Sequence, residues 1–300
     1  MSFPFRSSSI VDDIFFFRSG TCIYLLIFTF RKRNDSQNLS FNYIDNMSTK
    51  PLAIITGAAS GIGRAVAQQL TKTHSLLLID RGEFEQGLEA ETLNFDVSQV
   101  DQWHKVTDAI KDRSIDFIML NAGIGQKPSW TDPAGWRTMM DTNLFGVVNG
   151  IATILPLIEN KKATIVITGS KQGVTNPPGN PAYNASKAAI KSLTESLSYD
   201  LRQTNIEVYL LLPGYTYTGM TRSTSTSKPD SAWNPEQVAS YMFDKIKQKQ
   251  FYILCPDNAV TNELDYKRIT WNLRDITEGR PALSRWREVT ADEFEQYIKQ

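Results

Sequence analysis

Short apolar runs alternate with segments of helical pattern along most of the chain, and this alternation restricts the possible fold more than any other feature. The apolar runs are Leu52–Thr56, Leu76–Ile79, Thr92–Asp96, Ile115–Leu120, Ala163–Thr168, Ile206–Leu212 and Phe251–Cys255. The segments with apolar residues at helical spacing are Ile62–Thr71, Val100–Lys111, Gly135–Ile158, Ala182–Gln203 and Pro235–Gln248. Strands that are apolar throughout are covered on both faces, and strands separated by helices pair in parallel. We therefore predict an α/β fold with a single doubly wound parallel sheet and helices on both faces.

The composition argues against several classes of protein. Among 300 residues, 32 Lys and Arg balance 32 Asp and Glu, so the formal net charge is zero. A nucleic-acid-binding protein shows a basic excess instead. The two cysteines, Cys22 and Cys255, provide neither a disulfide framework nor a four-ligand zinc site. We expect a cytoplasmic, metal-free protein with no nucleic-acid partner.

Residues 1–46 differ from the rest of the chain. They hold eight of the 15 phenylalanines but one of the 17 glycines, and their apolar run Thr21–Phe30 has ten residues. A helix that spans a bilayer needs about 20. Three interpretations stay open: a disordered or non-native leader before a start at Met47, a weak membrane anchor through residues 14–33, and a targeting peptide. We predict a leader over 1–46 and a folded domain over 47–300, with a C-terminal cap over about 258–300.

A glycine-rich turn follows the first predicted strand. It reads Thr56-Gly57-Ala58-Ala59-Ser60-Gly61-Ile62-Gly63 and leads directly into a helical segment. Glycines let the backbone approach a pyrophosphate closely, and the N-terminus of the helix offers free N–H groups to the phosphates. With a strand before it and a helix after it, the turn predicts a dinucleotide site of the Rossmann fold.

Asp80 and Arg81, at the end of the second predicted strand, bear on the choice of dinucleotide. Asp80 lies 17 residues after Gly63, near the offset expected for an acid that binds the adenosine ribose. Its carboxylate accepts hydrogen bonds from the ribose hydroxyls and repels a 2′-phosphate, whereas Arg81 attracts that phosphate. Because an unneutralised carboxylate beside a phosphate is costly, we favour NAD over NADP as the cofactor.

Tyr183 and Lys187 stand four residues apart at the start of a predicted helix, which puts them on one face. A free phenol has a pKa of about 10, too high for a general base at neutral pH. A neighbouring ammonium favours the phenolate and lowers that pKa. Ser170 follows the predicted strand Ala163–Thr168, and the carboxyl ends of parallel strands form the ligand site in such folds. We predict that these three side chains meet there.

With these motifs in order, the sequence resembles the compact branch of the short-chain dehydrogenase/reductase family. The similarity covers about Leu52 to Cys255. The motifs that carry it are Thr56-Gly57-x-x-x-Gly61-x-Gly63, Asp96-Val97, Asn121-Ala122-Gly123, Asn143, Ser170, Tyr183-x-x-x-Lys187 and Pro213-Gly214-x-x-x-Thr218. Two departures are small: Gly169 precedes Ser170 where a second serine is common in the family, and His74 stands where glycine is frequent.

The resemblance implies roles for individual residues. In the catalytic group, Asn143 would hold a relay water and Ser170 would bond the substrate oxygen. Tyr183 would transfer the proton, while Lys187 would bind the nicotinamide ribose and tune Tyr183. The residues implied to bind the cofactor are Thr56, Gly57, Ser60, Gly61, Ile62, Gly63, Asp80, Arg81, Asp96, Val97, Asn121, Ala122, Gly123, Tyr183, Lys187, Pro213, Gly214, Thr216 and Thr218. The Ser/Thr-rich segment 216–232 falls where the family has its substrate lid.

The function expected from these residues is NAD(P)-dependent interconversion of a secondary alcohol and a ketone, or of an alcohol and an aldehyde. The expected partner is a small alcohol or carbonyl compound. The resemblance also implies a homodimer or homotetramer, with the helices of Asn143 and Tyr183 at the interface. Two alternatives stay open: a dinucleotide sensor or scaffold without turnover, and a membrane-attached reductase of lipid-like carbonyls.

Overall fold

The computed structural model describes residues 12–19, 22–29, 50–111, 113–222 and 227–300. The chain divides into two compact units, Met1–Lys50 and Pro51–Gln300. In the first unit, β1 (Asp12–Ser19) and β2 (Cys22–Thr29) form an antiparallel hairpin. The predicted start at Met47 lies outside the described residues, and the three interpretations of residues 1–46 stay predictions.

A seven-stranded parallel sheet forms the centre of the second unit. Its strands are β3 (Leu52–Thr56), β4 (Ser75–Asp80), β5 (Glu91–Asn94), β6 (Ile115–Leu120), β7 (Ala163–Thr168), β8 (Ile206–Leu212) and β9 (Tyr252–Leu254). They stand in the order β5-β4-β3-β6-β7-β8-β9. The chain builds outward from β3 to β5, then returns past β3 to β6 and continues in the other direction. Such a reversal opens a crevice at the carboxyl ends of the strands, and the predicted fold is confirmed.

Helices cover the sheet and extend beyond it at the C-terminus. They are α1 (Gly61–Leu70), α2 (His104–Ile110), α3 (Pro133–Met140), α4 (Gly146–Ile158), α5 (Gln172–Thr175), α6 (Pro181–Asp200), α7 (Gly219–Arg222), α8 (Pro235–Lys247), α9 (Asn262–Thr277) and α10 (Glu288–Lys299). In α9, Trp271 is buried and packs edge-on against Phe294 of α10, with ring centroids 5.3 Å apart. The predicted C-terminal segment is therefore built around a small aromatic core of its own.

Alternate residues of the strands enter two hydrophobic layers. In β3, Leu52 and Ile54 belong to a buried cluster shared with α2, α4 and α6. Ala53 and Ile55 belong to a second cluster, shared with α1 and α8. The alternation follows from the two-residue repeat of a strand, and each buried Ile or Leu contributes about 1.5–3 kcal/mol. The sheet is thus held rigidly between two helical layers.

The predicted helix over Gly135–Ile158 is helical throughout but not α-helical throughout. A π-helical turn over Asp141–Phe145 joins α3 to α4. This helical stretch, Pro133–Ile158, is long and apolar enough to cross a membrane by length and composition alone. Its residues Val147, Ile154 and Ile158 are instead buried in the cluster against the sheet, so it serves as a core helix of the described fold.

Candidate active site

A cavity of about 790 Å³ lies along the carboxyl ends of β3, β4, β6, β7 and β8. The predicted site residues that line it are Gly57, Ser60, Gly61, Ile62, Asp80, Arg81, Asp96, Val97, Asn121, Ala122, Gly123, Ser170, Tyr183, Lys187, Pro213, Gly214, Thr216 and Thr218. The other predicted residues, Thr56, Gly63 and Asn143, do not line the cavity. Residues from seven separate stretches of the sequence therefore face one crevice.

The glycine turn approaches the β6 loop so closely that side chains would not fit. Gly57 has φ +66°, and a Cβ there would lie 2.8 Å from the Cα of Ala122. A Cβ on Gly63 would lie 2.3 Å from the carbonyl oxygen of Gly57. Thr56 joins the two loops, because its Oγ1 accepts hydrogen bonds from the N–H groups of Asn121 (2.9 Å) and Ala122 (3.1 Å). Thr56 thus holds together two loops that line the cavity.

Asp80 and Arg81 form one end of the cavity. The Asp80 carboxylate accepts a hydrogen bond from Ala59 N in the glycine turn (3.0 Å) and another from Gly82 N (2.8 Å). Arg81 extends away to Asp96, with Nη1 3.7 Å from Oδ2. The acid is therefore fixed beside the glycine turn, while the exposed guanidinium is drawn toward a second carboxylate.

Tyr183, Ser170 and Lys187 meet at the middle of the cavity. Burial raises the pKa of the Tyr183 phenol, and a hydrogen bond with Ser170 opposes this rise. The Lys187 ammonium lies 5.8 Å from the centroid of the Tyr183 ring and donates to the carbonyl oxygen of Thr168 at 2.8 Å. Burial lowers the pKa of Lys187 to about 8. A phenol and a hydroxyl thus line one cavity with a buried cation nearby.

The N-terminus of α6 fixes where Tyr183 stands. Asn180 caps the helix, since its Oδ1 accepts a hydrogen bond from Tyr183 N at 3.4 Å. Its amide nitrogen donates to the carbonyl oxygen of Gln126 at 2.9 Å. Pro181 occupies the first helical position, where its missing N–H costs nothing. The cap therefore connects the tyrosine helix to the loop after β6.

Asn143 lies in the π-helical turn and is fully buried. Its Oδ1 accepts from Ile124 N at 2.8 Å, and its Nδ2 donates to Ile124 O at 3.1 Å and to Ser186 Oγ at 3.0 Å. These contacts support the loop that carries Gly123 and connect it to α6. The relay water predicted for Asn143 stays a prediction.

The loop after β8 closes the cavity from the other side. Thr216 is buried and donates to the carbonyl oxygen of Gly214 at 3.2 Å. Thr218 packs near the glycine turn, because a Cβ on Gly61 would lie 3.1 Å from its methyl group. The predicted lid begins here with α7, and its residues 223–226 lie outside the described residues. Its role as a lid stays a prediction.

The motifs missed several residues that line the cavity. These include Phe95, Ile124, Lys127, Gln172, Asn180 and Met220. Phe95, Ile124 and Gln172 follow a strand within four positions, so for these three the rule that carboxyl ends of parallel strands meet was the available signal. Within the described ranges, no group of three or more His, Cys, Asp or Glu side chains is arranged to hold a metal ion.

Comparison with known proteins identifies the family. A sequence profile described as short chain dehydrogenase matches residues 51–229. The chain belongs to this family. The short-chain dehydrogenase is 35% identical over 187 residues to sulfoacetaldehyde reductase 2 of Chromohalobacter salexigens, a match that covers 57% of this chain and 74% of that protein.

Solved structures agree with the family assignment. A short-chain dehydrogenase/reductase from Burkholderia phymatum, in complex with NAD, is 27% identical with a TM-score of 0.65, covering 77% of this chain and 96% of that one. One from Burkholderia cenocepacia, in complex with NADP, is 20% identical with a TM-score of 0.64, covering 77% and 95%; this second likeness concerns the fold alone. The predicted family, fold and enzyme class are confirmed, and this short-chain dehydrogenase is an oxidoreductase.

Proposed function

We propose that the enzyme interconverts a secondary alcohol and a ketone, or an alcohol and an aldehyde, with a nicotinamide dinucleotide as the redox partner. Tyr183 is the general acid and base, Ser170 binds the substrate oxygen and Lys187 tunes the phenol. The observation that carries the proposal is that the Tyr183 phenol and the Ser170 hydroxyl line one cavity with the buried Lys187 ammonium beside them. An oxygen atom held by both hydroxyls would lie in the same cavity as the glycine turn.

The residues present fit a dinucleotide. The close approach of Gly57 and Gly63 to neighbouring backbone leaves the free N–H groups of α1 open to phosphates. The Asp80 carboxylate is suited to ribose hydroxyls at one end, and Lys187 is suited to a ribose at the other. When bound, the nicotinamide supplies or accepts the hydride.

The chain itself supplies proton transfer and orientation. In the reductive direction Tyr183 donates its proton to the carbonyl oxygen, while the Ser170 hydroxyl stabilises the negative charge that develops there. Burial makes the phenolate costly, and the positive charge of Lys187 lowers that cost. In the oxidative direction the same phenolate removes the alcohol proton. The proton therefore passes between one phenol oxygen and the substrate oxygen in both directions.

Substitution of Tyr183 tests this assignment. Tyr183→Phe removes only the reacting oxygen, so we expect turnover to fall at least about 100-fold, as for loss of a general acid, with NADH affinity retained. Tyr199→Phe is the matched control, since Tyr199 is exposed on the same helix. Turnover is followed by NADH and NADPH absorbance with a panel of ketones and aldehydes. Full activity in Tyr183→Phe contradicts the proposal; tight NADH binding without turnover of any carbonyl by the natural sequence favours the sensor instead.

We also propose that NAD is preferred over NADP. Asp80 is held beside the glycine turn by two backbone N–H groups, and Arg81 is paired with Asp96. Asp80→Ala removes charged hydrogen bonds of about 1.5–3 kcal/mol each, so kcat/KM with NADH should fall about 10- to 100-fold. Arg81→Ala should leave it nearly unchanged. A natural preference for NADPH that disappears in Arg81→Ala contradicts this choice.

Several finer properties follow as proposals. The relative named sulfoacetaldehyde reductase 2 acts on an anionic aldehyde by that name, and Lys127 lines the cavity, so anionic aldehydes belong in the panel. A homodimer or homotetramer would cover the exposed Phe145, just before α4, and Val148 in its first turn. Sedimentation velocity measures this oligomeric state. Cytoplasmic location is proposed for the enzyme, and fractionation of cells carrying the full chain or a Met47 start would test the alternative anchor in residues 14–33.

A further inference from the structure

Lys171 directly follows Ser170 and is buried, although nothing in the proposed reaction uses it. Its ammonium lies 2.5 Å from Oδ2 of Asp265 and 3.6 Å from Oδ2 of Asp257. The side chains of these two aspartates are 2% and 7% exposed. A cation between two buried carboxylates is costly to assemble and is strongly disrupted when one partner is lost. Its position beside the reacting groups therefore calls for a functional reason.

Asp257 connects this ion pair to the loop that would hold the nicotinamide. The Oδ2 atom that faces Lys171 also accepts a hydrogen bond from Tyr215 N at 3.2 Å. A Cβ on Gly214 would lie 2.8 Å from the same oxygen and 2.9 Å from Lys171 Nζ. The backbone N–H of Lys171 donates to the carbonyl oxygen of Pro213 at 3.3 Å. Lys171 thus contacts the β8 loop through both its main chain and its side chain.

Asp265 connects the same ammonium to helix α9 near the C-terminus. Arg268, one turn further, lies with Nη1 3.7 Å from Asp265 Oδ1. Asn272 of the same helix donates to the carbonyl oxygen of Thr175 at 2.8 Å, in the short helix α5 that follows Lys171. The titratable groups close to Lys171 and Asp265 therefore include Asp257, Arg268 and Cys255, and the Arg285 guanidinium also interacts with Asp265.

We infer that Lys171 is a positioning residue, whose ammonium sets the distance between Ser170 on the β7 loop and Gly214–Tyr215 on the β8 loop. Helix α9 acts through the same ammonium by way of Asp265. The inference rests on the proposed function, because those two loops would carry the substrate oxygen and the nicotinamide. A shift of about 1 Å between reacting groups costs up to about 100-fold in rate, so small movements here have a large effect on kcat.

A stabilising role alone makes a different prediction. If Lys171 only held α9 in place, any other substitution that destabilised α9 to the same extent would reduce kcat by the same factor. Asp275 provides the comparison, since it is also buried on α9 but bonds to Ser284, with its Oδ2 3.0 Å from Ser284 N. The positioning role predicts that substitutions of Asp265 and Lys171 lower kcat, whereas a substitution of Asp275 lowers only the free energy of unfolding.

The test uses the full chain with the double substitution Lys171→Met and Asp265→Leu, which removes the closest ion pair as a unit and leaves Asp257 with its three backbone N–H donors. Asp275→Asn is the control, and Asp265→Asn is a second variant in case the double variant does not fold. We measure kcat, the effect on kcat of NADH dideuterated at C4, and affinities for NADH and ADP-ribose. We expect kcat to fall about 10- to 100-fold, with a larger isotope effect, ADP-ribose affinity unchanged and Asp275→Asn near the natural enzyme.

An unchanged kcat in both Lys171/Asp265 variants overturns the inference, as does an equal loss of kcat in Asp275→Asn. Absence of turnover in the natural enzyme would defeat the proposed function instead. In that case binding alone tests the inference. The affinity of the Lys171 and Asp265 variants for NADH must fall, while their affinity for ADP-ribose stays constant because ADP-ribose lacks the nicotinamide. Parallel changes in the two affinities would overturn it.

Discussion

Lys187 should make the stability of the cofactor-free enzyme depend on pH in a defined direction. Burial lowers its pKa from 10.5 to about 8, so below pH 8 both the folded and unfolded chains carry the ammonium and the folded chain bears the full cost of burying it. Between pH 8 and 10.5 the unfolded chain still binds this proton while the folded chain has released it. The contribution of Lys187 to the free energy of unfolding therefore rises with pH between 8 and 10.5.

The size of the effect follows from the width of the window. A difference of about 2.5 pKa units at about 1.36 kcal/mol each is about 3.4 kcal/mol. By pH 9.5 the folded chain should have lost about 2 kcal/mol of this destabilisation, because it has released the Lys187 proton. Lys187→Met removes the titrating group while keeping most of the side-chain volume, and every other titrating group is common to both proteins. The difference in unfolding free energy between the natural chain and the variant thus isolates Lys187.

The measurement is urea unfolding of both proteins, without dinucleotide, at several values between pH 7 and 9.5. We expect the natural chain to gain on the variant by about 2 kcal/mol across this range. Lys191→Met is the control, since Lys191 is one turn further along α6 and pairs with Glu195 at the surface, 2.6 Å away; its difference from the natural chain should stay flat. Parallel curves for the natural chain and Lys187→Met, or a natural chain that loses unfolding free energy relative to the variant as pH rises, would refute the reasoning.

Two further substitutions test the support around the cavity. Gly63→Ala would put a Cβ 2.3 Å from the Gly57 carbonyl oxygen, so helix α1 must shift; titration calorimetry should find NADH binding lost, and unchanged affinity would contradict the close approach. Asn143→Ala leaves the N–H and carbonyl of Ile124 without their present partners at a cost of about 1–3 kcal/mol each; a loss of unfolding free energy below about 1 kcal/mol would contradict that account.

The central strands were predictable because their burial on both faces makes them almost entirely apolar. Ile115–Leu120, Ala163–Thr168 and Ile206–Leu212 match the structure residue for residue. Helix α6 begins one residue before the predicted Ala182 and ends three before Gln203, since helix ends depend on capping contacts. The apolar spacing of Gly135–Ile158 predicted a helix but not its π-helical turn, because a single widened turn leaves the overall pattern of buried positions almost intact.

The sequence predicted those parts of the candidate site that consist of short motifs. It did not predict the parts that form only when residues distant in sequence come into contact. Tyr183 and Lys187 are close in sequence, so their shared face follows from helix geometry. Lys171 is far in sequence from Asp257 and Asp265, and each alone has the character of a solvated charge. Their meeting depends on how α9 returns to the β7 and β8 loops. Lys171 and Asp257 each follow a strand by three positions, so strand order could have indicated these two but not Asp265.

The widened turn at Asp141–Phe145 restricts how this helix can change in length. A π-helical turn closes its hydrogen bond over one residue more than an α-helical turn, so deleting one residue there would restore regular winding and keep Val147 and Ile154 close to the strands. A deletion in the regular helix α3 would instead rotate the residues beyond it by about 100° around the axis and turn those side chains away from the sheet. Changes of one residue in length should therefore be confined to Asp141–Phe145 and to the connections at either end of Pro133–Ile158.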